Sequence, residues 1–116
     1  MIFKNTIMIT FNEYQQRAHK TAIYPQEKWL EYLTLGLVGE AGEIANKVKK
    51  VLRDDGGILS FEKGKDLGKE LGDIQWYLSE LSYMLGKNLN DVAEDNLIKL
   101  ESRLERGKIA GSGDNR

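Results

Sequence analysis

The sequence predicts an all-α fold, a bundle of four to five helices that is completed by self-association. Apolar residues recur at three- and four-residue steps along most of the chain, as they do on one face of a helix. Short segments that carry capping residues or glycine separate these stretches. A chain of 116 residues supports one domain with a modest core. We therefore expect one helical domain over residues 1–116, with a flexible tail at 108–116.

Two helices are predicted in the first half of the chain. Thr10 caps the first, because Glu13 follows three residues later in a capping-box pattern. The second carries a longer apolar stripe that ends at Arg53, before the turn sequence DDGG. Because this stripe keeps helical spacing throughout, we expect one long helix. Its members are Leu30, Leu33, Leu37, Ala41, Ile44 and Val48.

Two further helices are predicted in the second half. Ser60 caps the third helix, which Gly86 closes, and Asn90 caps the fourth, which ends at Gly107. The tail KIAGSGDNR is polar and contains glycine, so we expect it to be flexible. The stripes of the two helices comprise Leu67, Leu71, Ile74, Leu78, Leu81 and Leu85, then Val92, Ala93, Leu97, Leu100 and Leu104.

Composition argues against several classes of function. Without cysteine there is neither a disulfide nor a thiolate ligand, and one histidine, His19, does not suffice for a histidine-built metal site. We expect His19 to be a surface or loosely packed residue, and we assign it no chemistry. A net charge of −1 provides no field for binding nucleic acid. The sequence shows no membrane segment or export signal, so we expect a cytoplasmic protein.

An internal repeat relates the second and third helices. The segment LVGEAGEIANKV from residue 37 aligns with LGKELGDIQWYL from residue 67. In both, an acidic pair flanks the apolar stripe at the same angle, Glu40 with Glu43 and Glu70 with Asp73. Helices packed through these stripes bring four carboxylates together, and their repulsion requires protons or cations. Oxygen ligands without histidine or cysteine favour Mg²⁺, or Mn²⁺.

Glycine, cationic and aromatic residues lie near these acids. Gly36 precedes Glu40 by one turn, and its missing side chain leaves room for substrate. Tyr77 and Trp76 either border a substrate ring or fill the core. Candidates for phosphate binding are the basic residues of the second helix, the fourth helix and the tail. These are Lys47, Lys50, Lys99, Arg103, Arg106, Lys108 and Arg116.

The acidic pattern resembles the signature of the MazG-like all-α nucleoside triphosphate pyrophosphohydrolases. E-x-x-E at residues 40–43 is followed, after 26 residues, by E-x-x-D at 70–73. The segments GLVGEAGEI, KELGDIQWYL and NLIKLESR are similar to helices of that family, and RGKIAGSGDNR resembles the tail of one subgroup. The resemblance extends from about residue 30 onward, and implies the helical bundle of the all-α NTP pyrophosphatase type.

The resemblance also implies an activity, a cofactor and an assembly. It implies hydrolysis of a nucleoside triphosphate between the α and β phosphates, with Mg²⁺ held by the four acids, in homodimers often paired into homotetramers. We expect Glu40 or Glu43 to orient the attacking water, and Glu70 and Asp73 to bind metal alone. By position, it implies contacts with phosphate, sugar or base from Lys47, Lys50, Tyr77, Asn96, Lys99 and Arg103.

Two alternatives remain open at this point. Phosphoribosyl-ATP pyrophosphatase shares this helical scheme. A second alternative, from another class, is a non-catalytic helical module that binds either a basic partner or a divalent cation. Release of pyrophosphate from a panel of nucleotides distinguishes an enzyme from such a module.

Overall fold

A computed structural model describes residues 8–116 as four α-helices, without a strand in that range. A short 3-10 helix, Gln26–Lys28, leads into the second of them. The all-α prediction is confirmed. In chain order the helices are α1 (Phe11–His19), α2 (Trp29–Asp54), α3 (Phe61–Met84) and α4 (Leu89–Glu105).

Local capping chemistry sets most of the helix boundaries. The Thr10 hydroxyl accepts the backbone N–H of Glu13 at 3.1 Å, and the Ser60 hydroxyl accepts that of Lys63 at 3.2 Å. Gly86, after α3, has a φ of 74°, which glycine adopts without a steric penalty. The predicted caps at Thr10 and Ser60 are therefore confirmed.

The cap of α4 is Asn88, so the prediction of Asn90 was wrong. The Asn88 side chain accepts the backbone N–H of Asp91 at 2.8 Å. Asn90 lies within the first turn, where it pairs with Asn12 of α1. The Asn90 N–H donates to Asn12 Oδ1 at 3.0 Å, and the Asn12 N–H donates to Asn90 Oδ1 at 3.2 Å. The second asparagine thus joins α4 to α1 and does not cap a helix.

Helices α2 and α3 form an antiparallel hairpin across the short loop 55–60. Near the loop, Lys63 contacts Asp55, and at the far end Tyr77 contacts Gly36, so the chain directions oppose one another. Helix α1 packs against α3 and α4. Helices α2 and α4 do not touch, since no Cα pair between them lies within 8 Å. The hairpin therefore has one long side that α4 leaves uncovered.

Gln15 fixes α1 to the junction between α3 and α4. Its buried side-chain amide donates to the carbonyls of Ser79, at 3.3 Å, and Lys87, at 3.0 Å. Its amide oxygen accepts the backbone N–H of Leu89 at 3.1 Å. One side chain thereby satisfies three backbone groups that packing removes from water.

His19 is partly exposed, with a side chain 31% accessible, and it forms specific contacts with a buried carboxylate that the sequence did not indicate. Its Nδ1 lies 3.1 Å from Oε2 of Glu80, a carboxylate without solvent exposure. The Tyr24 hydroxyl donates to the same carboxylate at 3.1 Å, and the His19 ring stacks on Tyr83 at 3.7 Å. A carboxylate that is removed from water needs such hydrogen-bond partners, which explains why the His19 ring nitrogen faces Glu80.

A single chain buries few apolar residues. Among the described residues 8–116, Leu35 of α2 is 71% exposed and Leu104 of α4 is 70% exposed. The buried apolar side chains in this range are Ala18, Tyr24, Leu33, Val51 and Leu89. The radius of gyration is 17.4 Å, against about 13 Å for a compact chain of this length. The helices therefore form an open frame. None of those described between residues 8 and 116 has the length and apolar character needed to cross a membrane.

The C-terminal tail folds back onto α4. The Asp114 carboxylate binds Lys99 at 2.8 Å and Arg103 at 3.2 Å. Arg106 donates to the Arg116 carbonyl at 2.9 Å. These contacts give the tail a defined path, which its composition did not indicate; flexibility itself stays a prediction. Within the tail, the Arg116 guanidinium donates to the carbonyls of Lys108, Ile109 and Gly113.

Candidate active site

Three of the four predicted acids meet between α2 and α3. Carboxylate oxygens of Glu40, Glu70 and Asp73 all lie within 4.8 Å of one another. The antiparallel hairpin sets Glu40 opposite the acidic pair of α3, whose members lie one turn apart. Glu43, one turn along α2, is exposed and lies outside this group. Its role as a metal ligand stays a prediction. We call Glu40, Glu70 and Asp73 the acid cluster.

The pKa values of two carboxylates in the acid cluster are shifted by their close neighbours. A hydrogen bond with Glu70, then burial, then the charges of Asp73, Glu70 and Glu43 raise the pKa of Glu40. The pKa of Glu70 is lowered, first by a hydrogen bond from Lys47 and then by the one with Glu40. The Lys47 ammonium lies 2.9 Å from Glu70 Oε1. The neighbouring carboxylates thus favour the protonated form of Glu40, while the Lys47 ammonium favours the ionised form of Glu70.

The donor set of the acid cluster fits a hard divalent cation. It offers converging carboxylate oxygens without sulfur or imidazole, which are the ligands that Mg²⁺ and Mn²⁺ prefer. A cation bound there would balance the negative charge of the three carboxylates, which Lys47 balances only in part through Glu70. The three carboxylates of the acid cluster are thus the residues that would hold the metal.

The raised pKa of Glu40 leads to a pH-dependent affinity for Mg²⁺. Because metal binding requires ionised carboxylates, protons compete at pH values above the ordinary glutamate value of 4.5. We expect the Mg²⁺-induced rise in melting temperature to shrink as the pH falls from neutral toward the ordinary glutamate value of 4.5. The metal-free fold gains stability from Glu40 over the same interval, because a group with a raised pKa binds protons more strongly in the folded state. Melts in EDTA and in Mg²⁺ at each pH measure both trends. Both trends should be weaker in Glu40→Gln, because residue 40 no longer titrates. An unaltered pH profile in that variant would contradict the assignment of these trends to Glu40.

Tyr77 fills the space that we expected Gly36 to leave for substrate. A Cβ added at Gly36 would lie 2.1 Å from Cε1 of Tyr77, so the ring lies directly on the glycine backbone. The expectation of open space was therefore wrong. Burial, then the charges of Tyr32, Glu40 and Asp73, raise the pKa of Tyr77. Its ring thus borders the acid cluster on the side away from the loop 55–60.

We expect Gly36→Ala to displace the Tyr77 ring. The added methyl group improves helix propensity by about 1 kcal/mol, but the clash with Tyr77 opposes this gain. The melting temperature should fall, and it should recover in the double variant Gly36→Ala/Tyr77→Leu. Gly39→Ala is the matched control, because nothing lies within 4 Å of its added Cβ. Equal stability changes at positions 36 and 39 would contradict the close contact.

Trp76 hydrogen-bonds to Thr21, two residues after the end of α1, and Tyr14 within α1 is affected by the charge of the acid cluster. The Trp76 indole N–H donates to Thr21 Oγ1 at 2.8 Å, and its ring meets Tyr77 edge to face at 5.0 Å. Burial, then the charge of Asp73, raise the pKa of Tyr14 of α1. Helix α1 therefore reaches the border of the acid cluster. No local pattern around Tyr14 signals this, because the two residues are distant in sequence.

Lys47 and Lys50 share a small cleft beside the acid cluster. Its volume is about 180 Å³, and it lies between the loop-proximal halves of α2 and α3. Two acids and a third lysine complete its polar lining, Asp54, Asp66 and Lys63. The structure thus places both predicted phosphate contacts of α2 on one side of the cluster, with Lys47 in contact with it.

The predicted substrate contacts on α4 lie elsewhere in the chain. Asn96 and Lys99 line a cleft of about 650 Å³ beside the α3–α4 junction. Arg103 is buried and binds the tail at Asp114. Because α4 does not touch α2, one chain does not bring these three residues to Glu40. Their contact with substrate stays a prediction.

The chain matches known sequences over most of its length. The family model of the MazG nucleotide pyrophosphohydrolase domain matches residues 29–107, which include α2, α3 and α4. The chain is also 53% identical over 109 residues to "Gene 37 protein" of Mycobacterium phage L5, an alignment that covers 89% of this chain and 96% of that protein. No solved structure matches the chain. On the strength of the family match and of the acids that it encloses, the chain belongs to the MazG nucleotide pyrophosphohydrolase family.

Proposed function

We propose that this protein is a nucleotide pyrophosphohydrolase that depends on Mg²⁺ or Mn²⁺. Its substrate is a nucleoside or deoxynucleoside triphosphate, which it cleaves between the α and β phosphates to a monophosphate and pyrophosphate. The observation that carries the proposal is the acid cluster, three carboxylates within 4.8 Å inside the family's domain. Separated carboxylates on a solvated helix face do not raise one another's pKa, whereas the pKa of Glu40 is raised by its acidic neighbours and Lys47 binds Glu70.

The residues around the acid cluster supply the remaining needs of the reaction. Glu40, Glu70 and Asp73 would hold a divalent cation, which would supply positive charge to the oxygens of the triphosphate chain. Glu40 or Glu43 orients the attacking water and accepts its proton, the role of a general base. Lys47 and Lys50 add positive charge on the side of the small cleft. Tyr77 closes the opposite side and borders the nucleoside.

A nucleotide panel tests the proposed reaction. The panel contains the standard ribo- and deoxynucleoside triphosphates and phosphoribosyl-ATP, each with Mg²⁺ and with EDTA. We expect one pyrophosphate per monophosphate, in the Mg²⁺ arm alone. Turnover confined to phosphoribosyl-ATP favours the alternative enzyme. Release of orthophosphate, or no turnover on any substrate, contradicts the proposal.

We further propose that the active form is a homodimer or a homotetramer. Support comes from the open frame of the single chain, whose exposed apolar residues include Leu35, Val38 and Leu104. The separation of α2 from α4 adds to this, because a second copy can bring the basic residues of its α4 to the acid cluster of the first.

Light scattering at micromolar concentration measures the assembly. We expect a mass of two or four chains, and we expect Leu35→Glu to reduce it, because a charge on a covered apolar face opposes association. Gln16→Glu on α1 adds the same charge at an exposed polar position and should keep the wild-type mass. A wild-type monomer with full activity would rule out this assembly.

A further inference from the structure

Two basic side chains of α4 converge on one carboxylate of the tail. Lys99 Nζ lies 2.8 Å from Asp114 Oδ1, and Arg103 Nη2 lies 3.2 Å from the same oxygen. Hydrogen bonds from Lys99 and then Arg103 lower the pKa of Asp114. The Asp114 side chain nevertheless remains 75% exposed. The two cations therefore hold an oxyanion at the open surface of α4.

Arg103 retains a hydrogen-bond donor that this carboxylate does not use. Its side chain is only 7% exposed. Among residues 8–116 its buried Nε atom has no hydrogen-bond partner. Buried polar groups normally find partners, and a guanidinium offers a fork of donors suited to phosphate. A phosphate group provides more acceptor oxygens and more charge than a carboxylate does.

The space beside Lys99 admits a ligand larger than a carboxylate. The cleft of about 650 Å³ begins at Lys99 and Asn96 and extends to the α3–α4 junction. Asp114 belongs to the tail and does not line this cleft. A phosphate chain bound at Lys99 can therefore continue into the cleft, whereas the Asp114 side chain stays outside it.

The family resemblance implies that Lys99 and Arg103 contact the phosphate, sugar or base of the nucleotide. We propose that Asp114 occupies their site in the free chain as an internal competitor of phosphate. The ligand is the phosphate chain of the nucleotide or free pyrophosphate. This inference rests on the proposed function, because its ligand is the substrate or the product of that reaction. Bonds from Arg116 to the carbonyls of Lys108, Ile109 and Gly113 hold the tail together. The tail can then leave the two cations as one folded segment.

Calorimetry with pyrophosphate compares the wild type with Asp114→Asn. Asparagine keeps the shape and removes the competing charge, so we expect pyrophosphate to bind at least about fivefold more tightly. The KM for the nucleotide should fall with kcat unchanged. Glu101→Gln removes the same charge from an exposed position of α4 and should leave the affinity near the wild-type value. Equal or weaker binding of pyrophosphate by Asp114→Asn would show that Asp114 orients the cations and would overturn the proposal.

A second variant tests the cations without disturbing the buried Arg103. Lys99→Met should weaken pyrophosphate binding at least about tenfold, and the gain from Asp114→Asn should become smaller in the double variant. Undiminished binding by Lys99→Met would overturn the proposal. If a non-hydrolysable nucleotide analogue gains affinity in Asp114→Asn together with pyrophosphate, the site binds both substrate and product; if pyrophosphate alone gains, the site binds the product. Binding can be measured without turnover. If the protein is inactive but its variants show these changes in pyrophosphate affinity, the result contradicts the proposed reaction and supports this site.

Discussion

Asp73→Asn is expected to reduce pyrophosphate release by at least about 100-fold. Loss even of a residue that only supports a metal ligand typically costs 10- to 100-fold, and Asp73 supplies one of the converging oxygens itself. The metal-free variant should melt no lower than the metal-free wild type, because one mutually repelling charge is gone. It should also lose most of the stabilisation by Mg²⁺, which reaches about 2.7 kcal/mol at 100 times Kd.

Melting curves in EDTA and in millimolar Mg²⁺, beside one turnover assay, measure all three effects. Glu62→Gln provides the control, because it removes an exposed acid from the same helix, near its start. The control should keep wild-type turnover and the wild-type response to Mg²⁺. If Asp73→Asn also keeps both, the acid cluster is not a metal site, and the proposed function loses its main support.

Glu80→Ala is expected to destabilise the fold by about 2–5 kcal/mol, because each of two polar groups left without its partner costs about 1–3 kcal/mol. The Glu80 carboxylate is fully buried and accepts from both His19 and Tyr24. Removing it leaves two polar groups without their partner and a cavity between α1 and α3. Small domains have only about 5–15 kcal/mol of stability in total. Urea titration in the presence of Mg²⁺ measures the loss.

A double-mutant cycle separates the polar contact from simple packing. His19→Phe keeps a ring on Tyr83 and removes the nitrogen that faces Glu80. In its presence Glu80→Ala should cost less than in the wild type. Glu94→Ala, an exposed acid of α4, should stay within about 0.5 kcal/mol of the wild type. Additive losses at positions 19 and 80 would mean that the two residues contribute independently.

Periodicity was sufficient to predict the helices and most of the acid cluster. The repeated acidic pairs flank their stripes at equal angles, and packing through those stripes brought Glu40 to Glu70 and Asp73. Angles about a helix axis do not determine the relative height of two helices. The register of the hairpin left Glu43 exposed and outside the cluster. The family resemblance, in turn, rested on these same acids.

Polar pairings between distant residues could not be predicted. Glu80 faces inward and requires His19, yet neither residue lies in a local pattern that signals burial. Asn88 and Asn90 are equally good caps by sequence, and only the proximity of Asn12 decides between them. Glycine at position 36 likewise indicates a close approach without identifying Tyr77 as the group that makes it.

The three hydrogen bonds of Gln15 restrict which amino acids position 15 can accept. The backbone carbonyls of Ser79 and Lys87 need a donor, and the backbone N–H of Leu89 needs an acceptor. All three groups lie within reach of the end of one side chain. Glutamate supplies no donor for the carbonyls, while lysine and arginine supply no acceptor for the N–H. Asparagine has both groups on a side chain one methylene shorter. In a saturation library selected for folding, glutamine should therefore dominate position 15, although this residue lies outside the family's matched range and takes no part in the chemistry.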